Sequence, residues 1–187
     1  MIIEEQTVSS DRIYTGKVIS LKVDTVEVPK KGYQKREIIE HPGAVGIVAV
    51  TNDKKVVLVK QYRKAIEKAI WEIPAGKLEQ GENPKDCALR ELKEETGYTA
   101  NNIRLIHKFY TSAGFSNQKV YVYLATELEE GEANLEDGEF LDVHEVELNE
   151  AYEMINKNDI EDAKTSFLSF VTASIPTAPG CSIISLF

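Results

Sequence analysis

GKLEQGENPKDCALRELKEETGY, residues Gly76 to Tyr98, is the stretch from which the rest of the chain is read. Asn83-Pro84 is a helix start: a capping side chain, then proline at the first helical position, where a missing N–H costs nothing. Ala88, Leu89 and Leu92 recur at helical spacing, and Gly97 supplies the left-handed residue that closes a helix. The pattern predicts a helix over 84–96 with an apolar stripe turned to the core. Residues three and four apart share a helix face, so Glu91, Glu94 and Glu95 crowd one side. Like charges so placed destabilise an isolated helix by about 0.2–0.5 kcal/mol per pair. A hard divalent cation offsets that repulsion, because Mg²⁺ takes oxygen ligands and keeps waters and phosphates as its other partners.

The bland alternative is an exposed acidic helix laced by Asp86–Arg90 and Arg90–Glu94 pairs. Taken alone, Glu91-Leu92-Lys93-Glu94-Glu95 fits that alternative better; the spacing of the whole stretch favours the cation. Arg90 pairs with Glu94 or with Glu82 and orients carboxylates rather than touching substrate. Gly76 and Gly81 bracket the preceding loop, where glycine lets backbone approach closely, so that a carbonyl near Ala75 reaches the metal.

Working outward, Lys17 to Val28 alternates β-branched and charged residues, Pro29-Lys30-Lys31-Gly32 breaks it, and Gln34 to His41 resumes, which predicts a hairpin. Ala44 to Val50 is a nearly unbroken apolar run, expected for a strand covered on both faces. Strands are also predicted at Val56–Tyr62, Trp71–Ile73, Ile103–Tyr110, Lys119–Ala125 and Phe140–Val146. Leu128 to Glu139 reads as an exposed acidic loop, and Asn149–Asn156 and Asp162–Val171 as helices. Val171 to Phe187 has no charged residue and is expected to pack on its own domain or a sister chain. Three units follow: an N-terminal β segment over 1–42, a main domain over 43–170 and the uncharged tail over 171–187.

The 187 residues suit one domain, with 42% hydrophobic and 28% charged residues, ordinary for a soluble protein with a core. A net charge of −9 argues against a nucleic-acid or anionic-membrane surface. It also means that an anionic substrate needs a cation or a few placed arginines. Cys87 and Cys181 make no disulfide framework, which favours a reducing, cytoplasmic setting. Neither a secretory signal nor a span-length apolar run is visible.

The stretch resembles the Nudix box at every defined position: Gly76, Glu82, Arg90, Glu91, Leu92, Glu94, Glu95, Gly97 and Tyr98. The resemblance implies an α/β class fold, a Nudix-type α/β/α sandwich around a mixed sheet, here with an N-terminal antiparallel β segment. It implies hydrolysis of a nucleoside diphosphate linked to another moiety, with Mg²⁺ as cofactor and Mn²⁺ as the alternative. Carried over residue by residue, Glu91 and Glu95 would be the main metal ligands, Glu94 a further one, directly or through water, and the Ala75 carbonyl would complete the set. Arg90 and Glu94 would also belong to the catalytic group.

Residues outside the box resemble the ADP-ribose pyrophosphatase group within that family. They are Arg36 to Val45, Gln61-Tyr62-Arg63, Glu72 to Gly76, and Asp162-Ala163-Lys164-Thr165. The resemblance implies ADP-ribose as substrate, cleaved to AMP and ribose 5-phosphate. Arg36 and Arg63 would hold phosphate or ribose oxygens, which arginine's planar fork suits. Glu72 would help position the terminal ribose, or else be a paired carboxylate at a sheet end. Glu139 would be the general base, ahead of Asp137 and Glu136. A homodimer is implied, with N-terminal strands exchanged and Tyr14 or another nearby aromatic stacking on adenine. One departure concerns substrate: Ala113 stands where the group often carries proline, and Asn117 and Gln118 replace acidic residues. The alternatives are another nucleoside diphosphate sugar or a dinucleotide, and, in a different class, an ADP-ribose sensor without turnover.

Overall fold

The computed structural model describes residues 3–135 and 137–169; Glu136, Cys181 and the uncharged tail lie outside them. Strands β1 (Gln6–Thr15), β2 (Ser20–Val28) and β3 (Gly32–Glu40) form an antiparallel three-stranded sheet in that order. The expected hairpin is β2–β3, turning through Lys30 and Gly32, both at positive φ. β1 lies within the β segment expected over 1–42, although the sequence set no strand bounds before Lys17. All ten of its residues are exposed, so no face of it carries the apolar period from which a strand is recognised.

The main sheet contains β4 (Ala44–Val50), β5 (Lys55–Arg63), β8 (Thr99–Tyr110), β9 (Lys119–Glu129) and β10 (Leu141–Glu147), in the order β10-β5-β4-β9-β8. β4 and β9 run parallel and the other pairs antiparallel, so the sheet is mixed. β9 extends to Glu129, two residues into the segment expected to be loop. β4 is buried on both sides because its side chains alternate between two cores. Val45, Ile47 and Ala49 pack with Cys87, Ala88 and Leu92 of α1 (Pro84–Thr96). Val48 and Val50 pack on the opposite face with Leu148 and Ala151 of α2 (Leu148–Asn156). Helix, sheet and helix are therefore stacked in the expected sandwich. Full burial of a side chain such as Leu92 contributes about 1.5–3 kcal/mol.

A split in the sheet positions the site. The β4–β5 ladder stops at Ala49/Val57. Beyond it, β5 pairs with β6 (Lys68–Glu72), and the start of β4 pairs with β7 (Ala75–Lys77). The short β7 was read from sequence as loop; three residues have no period of their own and depend on β4 for their pairing. The chain passes from β6 to β7 through Ile73-Pro74, and there a late segment grips it. The Thr165 hydroxyl accepts from the buried Ile73 N–H at 2.9 Å and donates to Asp162 at 2.6 Å. Of the helix expected from Asp162 to Val171, the described residues form a turn, a 3-10 turn at Thr165–Phe167 and then α-helical backbone at Leu168 and Ser169. Asp162 spends its carboxylate on Thr165, accepting its backbone N–H at 2.9 Å as well. Thr165→Val keeps the shape but leaves the Ile73 N–H without an acceptor. It is expected to cost about 1–3 kcal/mol in a denaturant titration.

Candidate active site

α1 has the boundaries that its caps dictate. The Asn83 side chain accepts from the Lys85 N–H at 2.9 Å, and Gly97 at φ +79° donates to the Lys93 carbonyl at 2.9 Å. Packing of Cys87, Ala88 and Leu92 fixes the roll of the helix, and that roll sets where its carboxylates stand. Glu95 is 3% exposed and its Oε2 accepts from the Ala75 N–H at 2.9 Å. Glu91 lies against Gly76: a Cβ there would stand 1.9 Å from the Glu91 carboxyl carbon. Only glycine admits the Glu91 carboxylate at this place.

Arg90 holds the outer part of the cluster. Nε and Nη2 donate to Glu82 at 2.9 and 3.1 Å, and Nη1 donates to Glu91 and Glu94, each at 2.8 Å. Of the two partners open from sequence, Arg90 takes both, and Glu91 besides; it makes no bond to Asp86. The bond to Arg90 pulls the Glu82 carboxyl down to about 2. Cys87 is fully buried, and burial, then Glu82, push its thiol up to about 12, so it is an inert core residue.

Burial pushes Glu95 up to about 8; the Ala75 N–H opposes this, and Glu139 and Glu91 add to it. Burial likewise raises Glu91 against the pull of Arg90, with Glu94 and Glu139 contributing. Glu139 therefore belongs to the same negative field. It is held by Gln61, whose Nε2 donates to it at 3.2 Å across the β5–β10 side of the sheet. Asp137 is exposed and has no such bond, and Glu136 lies outside the described residues.

Among the described residues no three acidic, histidine or cysteine side chains converge tightly enough to enclose a metal as they stand. The donor set nevertheless fits a hard divalent cation. Among the described residues, Oε2 of Glu91, Oε1 of Glu94 and Oε1 of Glu95 take no hydrogen bond, since Arg90 and Ala75 occupy only their sister oxygens. Glu91 and Glu95, drawn toward protonation by burial and each with an open oxygen, need positive charge, and Mg²⁺ does not require a closed protein cage.

A pH dependence follows. Folded-state values of Glu95 and Glu91 above the ordinary carboxylate value mean that their contribution to stability is full below about pH 4.5. It is lost for Glu95 as pH rises through about 8, and for Glu91 as pH rises past the ordinary carboxylate range. Without divalent cations the melting temperature is expected to fall by about 5 °C or more between pH 5 and pH 8. Mg²⁺ added at pH 8 is expected to restore it, as differential scanning fluorimetry with and without EDTA would show. A flat profile without cation contradicts the assignment of the buried pair.

The cleft beside this cluster has a volume of about 580 Å³ and is lined by Arg63, Glu72, Ala75, Gly76 and Lys164, among others. Glu72 is 1% exposed. Arg63 grips it through Nε and Nη2, at 2.5 and 2.8 Å, and Lys164 bonds the same carboxylate. Burial works against its charge, but the two cations win and hold it below the ordinary range. Glu72 is thus a paired carboxylate at a sheet end that also lines the cleft. Arg63 is fixed by it, and among the described residues its Nη1 has no hydrogen-bond partner. Arg36 stands apart on β3, bonded to Glu5 at 2.5 and 2.8 Å, beside a second hollow of about 370 Å³ that includes Tyr110, Ala113 and Phe115. Within one chain, Arg36 and Arg63 line different hollows. Sequence reasoning gave Lys164 and Gln61 no role. The sequence marks Asp162-Ala163-Lys164-Thr165 only as a late helix start, and the partner of Lys164, Glu72, is 92 positions away.

The sequence model of the NUDIX domain matches residues 40–168. The chain is 49% identical over 167 residues to the ADP-ribose pyrophosphatase of Bacillus subtilis (strain 168), covering 88% of this chain and 90% of that one. It is 47% identical over 166 residues to the methanol dehydrogenase activator of Bacillus methanolicus, with the same coverages of 88% and 90%. Among solved structures, an ADP compounds hydrolase superposes with a TM-score of 0.80 at 20% identity, covering 93% of this chain and 96% of that one, a likeness of fold.

Proposed function

The chain belongs to the Nudix family, and from that premise we propose that it is the hydrolase that splits ADP-ribose at its pyrophosphate bond, giving AMP and ribose 5-phosphate. The observation that carries this reading is the junction at Ala75-Gly76. One short backbone both seats the Glu91 and Glu95 carboxylates and walls the cleft that holds Arg63. A diphosphate lying in the cleft therefore meets the carboxylate cluster at this wall.

Glu91, Glu95 and Glu94, with the Ala75 carbonyl, would hold the cation, Mg²⁺ with Mn²⁺ as the alternative. Bound there, the cation supplies the positive field that lets a −9 protein hold a diphosphate and makes a nearby water a stronger acid. Arg90 keeps Glu91 and Glu94 facing inward by holding one oxygen of each. Glu139, held by Gln61, would take the proton of the attacking water. The Nη1 of Arg63 bonds a phosphate or ribose oxygen, and Glu72 works chiefly by fixing Arg63.

The assembly in this reading is a cytoplasmic homodimer with no nucleic-acid or membrane partner. Among the described residues no helix is long and apolar enough to cross a membrane. Val8, Ile13 and Tyr14 on the fully exposed β1 give a second copy an apolar surface to cover. In that assembly Arg36 and Tyr14 are available to the partner's substrate. A second reading, another nucleoside diphosphate sugar, is favoured by Ala113, a small residue lining the hollow beside Phe115.

Incubation with Mg²⁺ and a panel of nucleotide sugars, read as release of AMP or another nucleoside monophosphate, tests these readings. Turnover of ADP-ribose well above the rest is the expected result, and preference for another sugar selects the second reading. Tight ADP-ribose binding without turnover is the sensor outcome, against which the intact Glu91, Glu94 and Glu95 set argues.

A further inference from the structure

We propose that Lys164 is a positioning residue for substrate binding, acting through Glu72 to hold Arg63 in its working orientation. The inference rests on the reading of Arg63 as a substrate contact.

Arg63 projects from the end of β5 with its side chain 41% exposed, and a long arginine in open water samples many rotamers. Its fork is fixed by Glu72, whose side chain is 2% exposed. A carboxylate buried that deeply is undercompensated by one partly solvated cation. Lys164, with its side chain 16% exposed, is the second cation, and it bonds Oε2, the oxygen that Nη2 of Arg63 also uses. The two cations share one anion, so the position of Lys164 sets the position of the carboxylate and hence of the arginine.

Lys164 is itself held. Its Nζ lies 3.1 Å from Oδ2 of Asp162, the oxygen that also accepts the Thr165 N–H and hydroxyl. The Thr165 hydroxyl in turn accepts from the N–H of Ile73, the residue next to Glu72. The late turn is thus pinned to the strand whose carboxylate it neutralises. None of these bonds reaches Glu91, Glu94 or Glu95, which are seated through Arg90, Ala75 and Gly76. Loss of Lys164 is therefore expected to affect binding and to spare the chemical step.

The test is steady-state kinetics of full-length Lys164→Met with ADP-ribose and saturating Mg²⁺, beside Arg63→Lys and the double variant. KM is expected to rise about tenfold in Lys164→Met, with kcat within about twofold of the parent. Lys164→Arg, which keeps charge and donors, is expected to restore KM to within about twofold of the parent. The double variant is expected to be no worse than Arg63→Lys alone, because two residues acting as one unit are not additive. Should the methionine variant not fold, Lys164→Gln keeps one donor to Glu72 without the charge and is read the same way.

A folded Lys164 variant with the parent KM overturns the proposal, as do effects on KM that multiply in the double variant. If Arg63→Lys itself leaves KM unchanged, the substrate role of Arg63 falls, and this proposal with it. If Arg63→Lys raises KM and Lys164→Met does not, only the proposal for Lys164 fails.

Discussion

Glu95→Gln is expected to lower turnover of ADP-ribose by about 10²–10³-fold or more, the scale of loss when one electrostatic stabiliser of a transition state is removed. The substitution leaves the fold intact for a local reason. The Ala75 N–H needs an acceptor, and the glutamine carbonyl oxygen provides one where the carboxylate did. It also removes a charge that burial disfavours, so the cation-free variant is expected to melt no lower than the parent at pH 8. The signature is this combination: near-complete loss of AMP release, unchanged or higher melting temperature without cation, and a smaller gain in melting temperature on adding Mg²⁺. Full activity in the variant would remove Glu95 from the ligand set.

Gly76→Ala is expected to have the second-largest effect. The new methyl would stand 1.9 Å from both the carboxyl carbon and Oε1 of Glu91, far inside contact distance. The atoms in its way are the far end of a flexible side chain, so Glu91 swings aside more readily than the β7 backbone moves. The fold is expected to survive while Glu91 leaves its seat, and displacement of a catalytic group by about 1 Å costs on the order of 10²-fold in rate. Measured kcat near the parent value would mean that Glu91 works from a different position than the one it takes against Gly76.

The parts of this molecule legible in its sequence are those whose cause is local. Asn83, Pro84 and Gly97 bound α1 because each meets a requirement of the helix end within two residues of itself. Ala44 to Val50 reads as a two-sided strand because both of its neighbours, α1 and α2, bury one parity of its side chains. The grip of Arg90 on Glu82 and Glu94 was open to view because eight and four positions bring those side chains together on one helix and its preceding loop. What stayed hidden depends on partners remote in the chain. β1 pairs with β2 but has no buried face. β7 exists because β4 accepts three of its residues. The Asp162–Thr165 segment is a turn rather than the start of a long helix because Thr165 is committed to Ile73, and Lys164 to Glu72, both 92 positions away.

The C-terminal end of α1 is also built into its surroundings. Gly97 abuts Gly131, where a Cβ on Gly97 would meet the Gly131 carbonyl at 2.4 Å, and the Asn134 N–H donates to the Glu94 carbonyl at 2.9 Å. The acidic run after β9 is therefore moored to the helix that carries the carboxylates before it continues to Glu139. For protein engineering this divides one surface loop into two zones. Extra residues spliced in ahead of Asn134 would cut the mooring, whereas an insertion after it would leave the end of the helix attached.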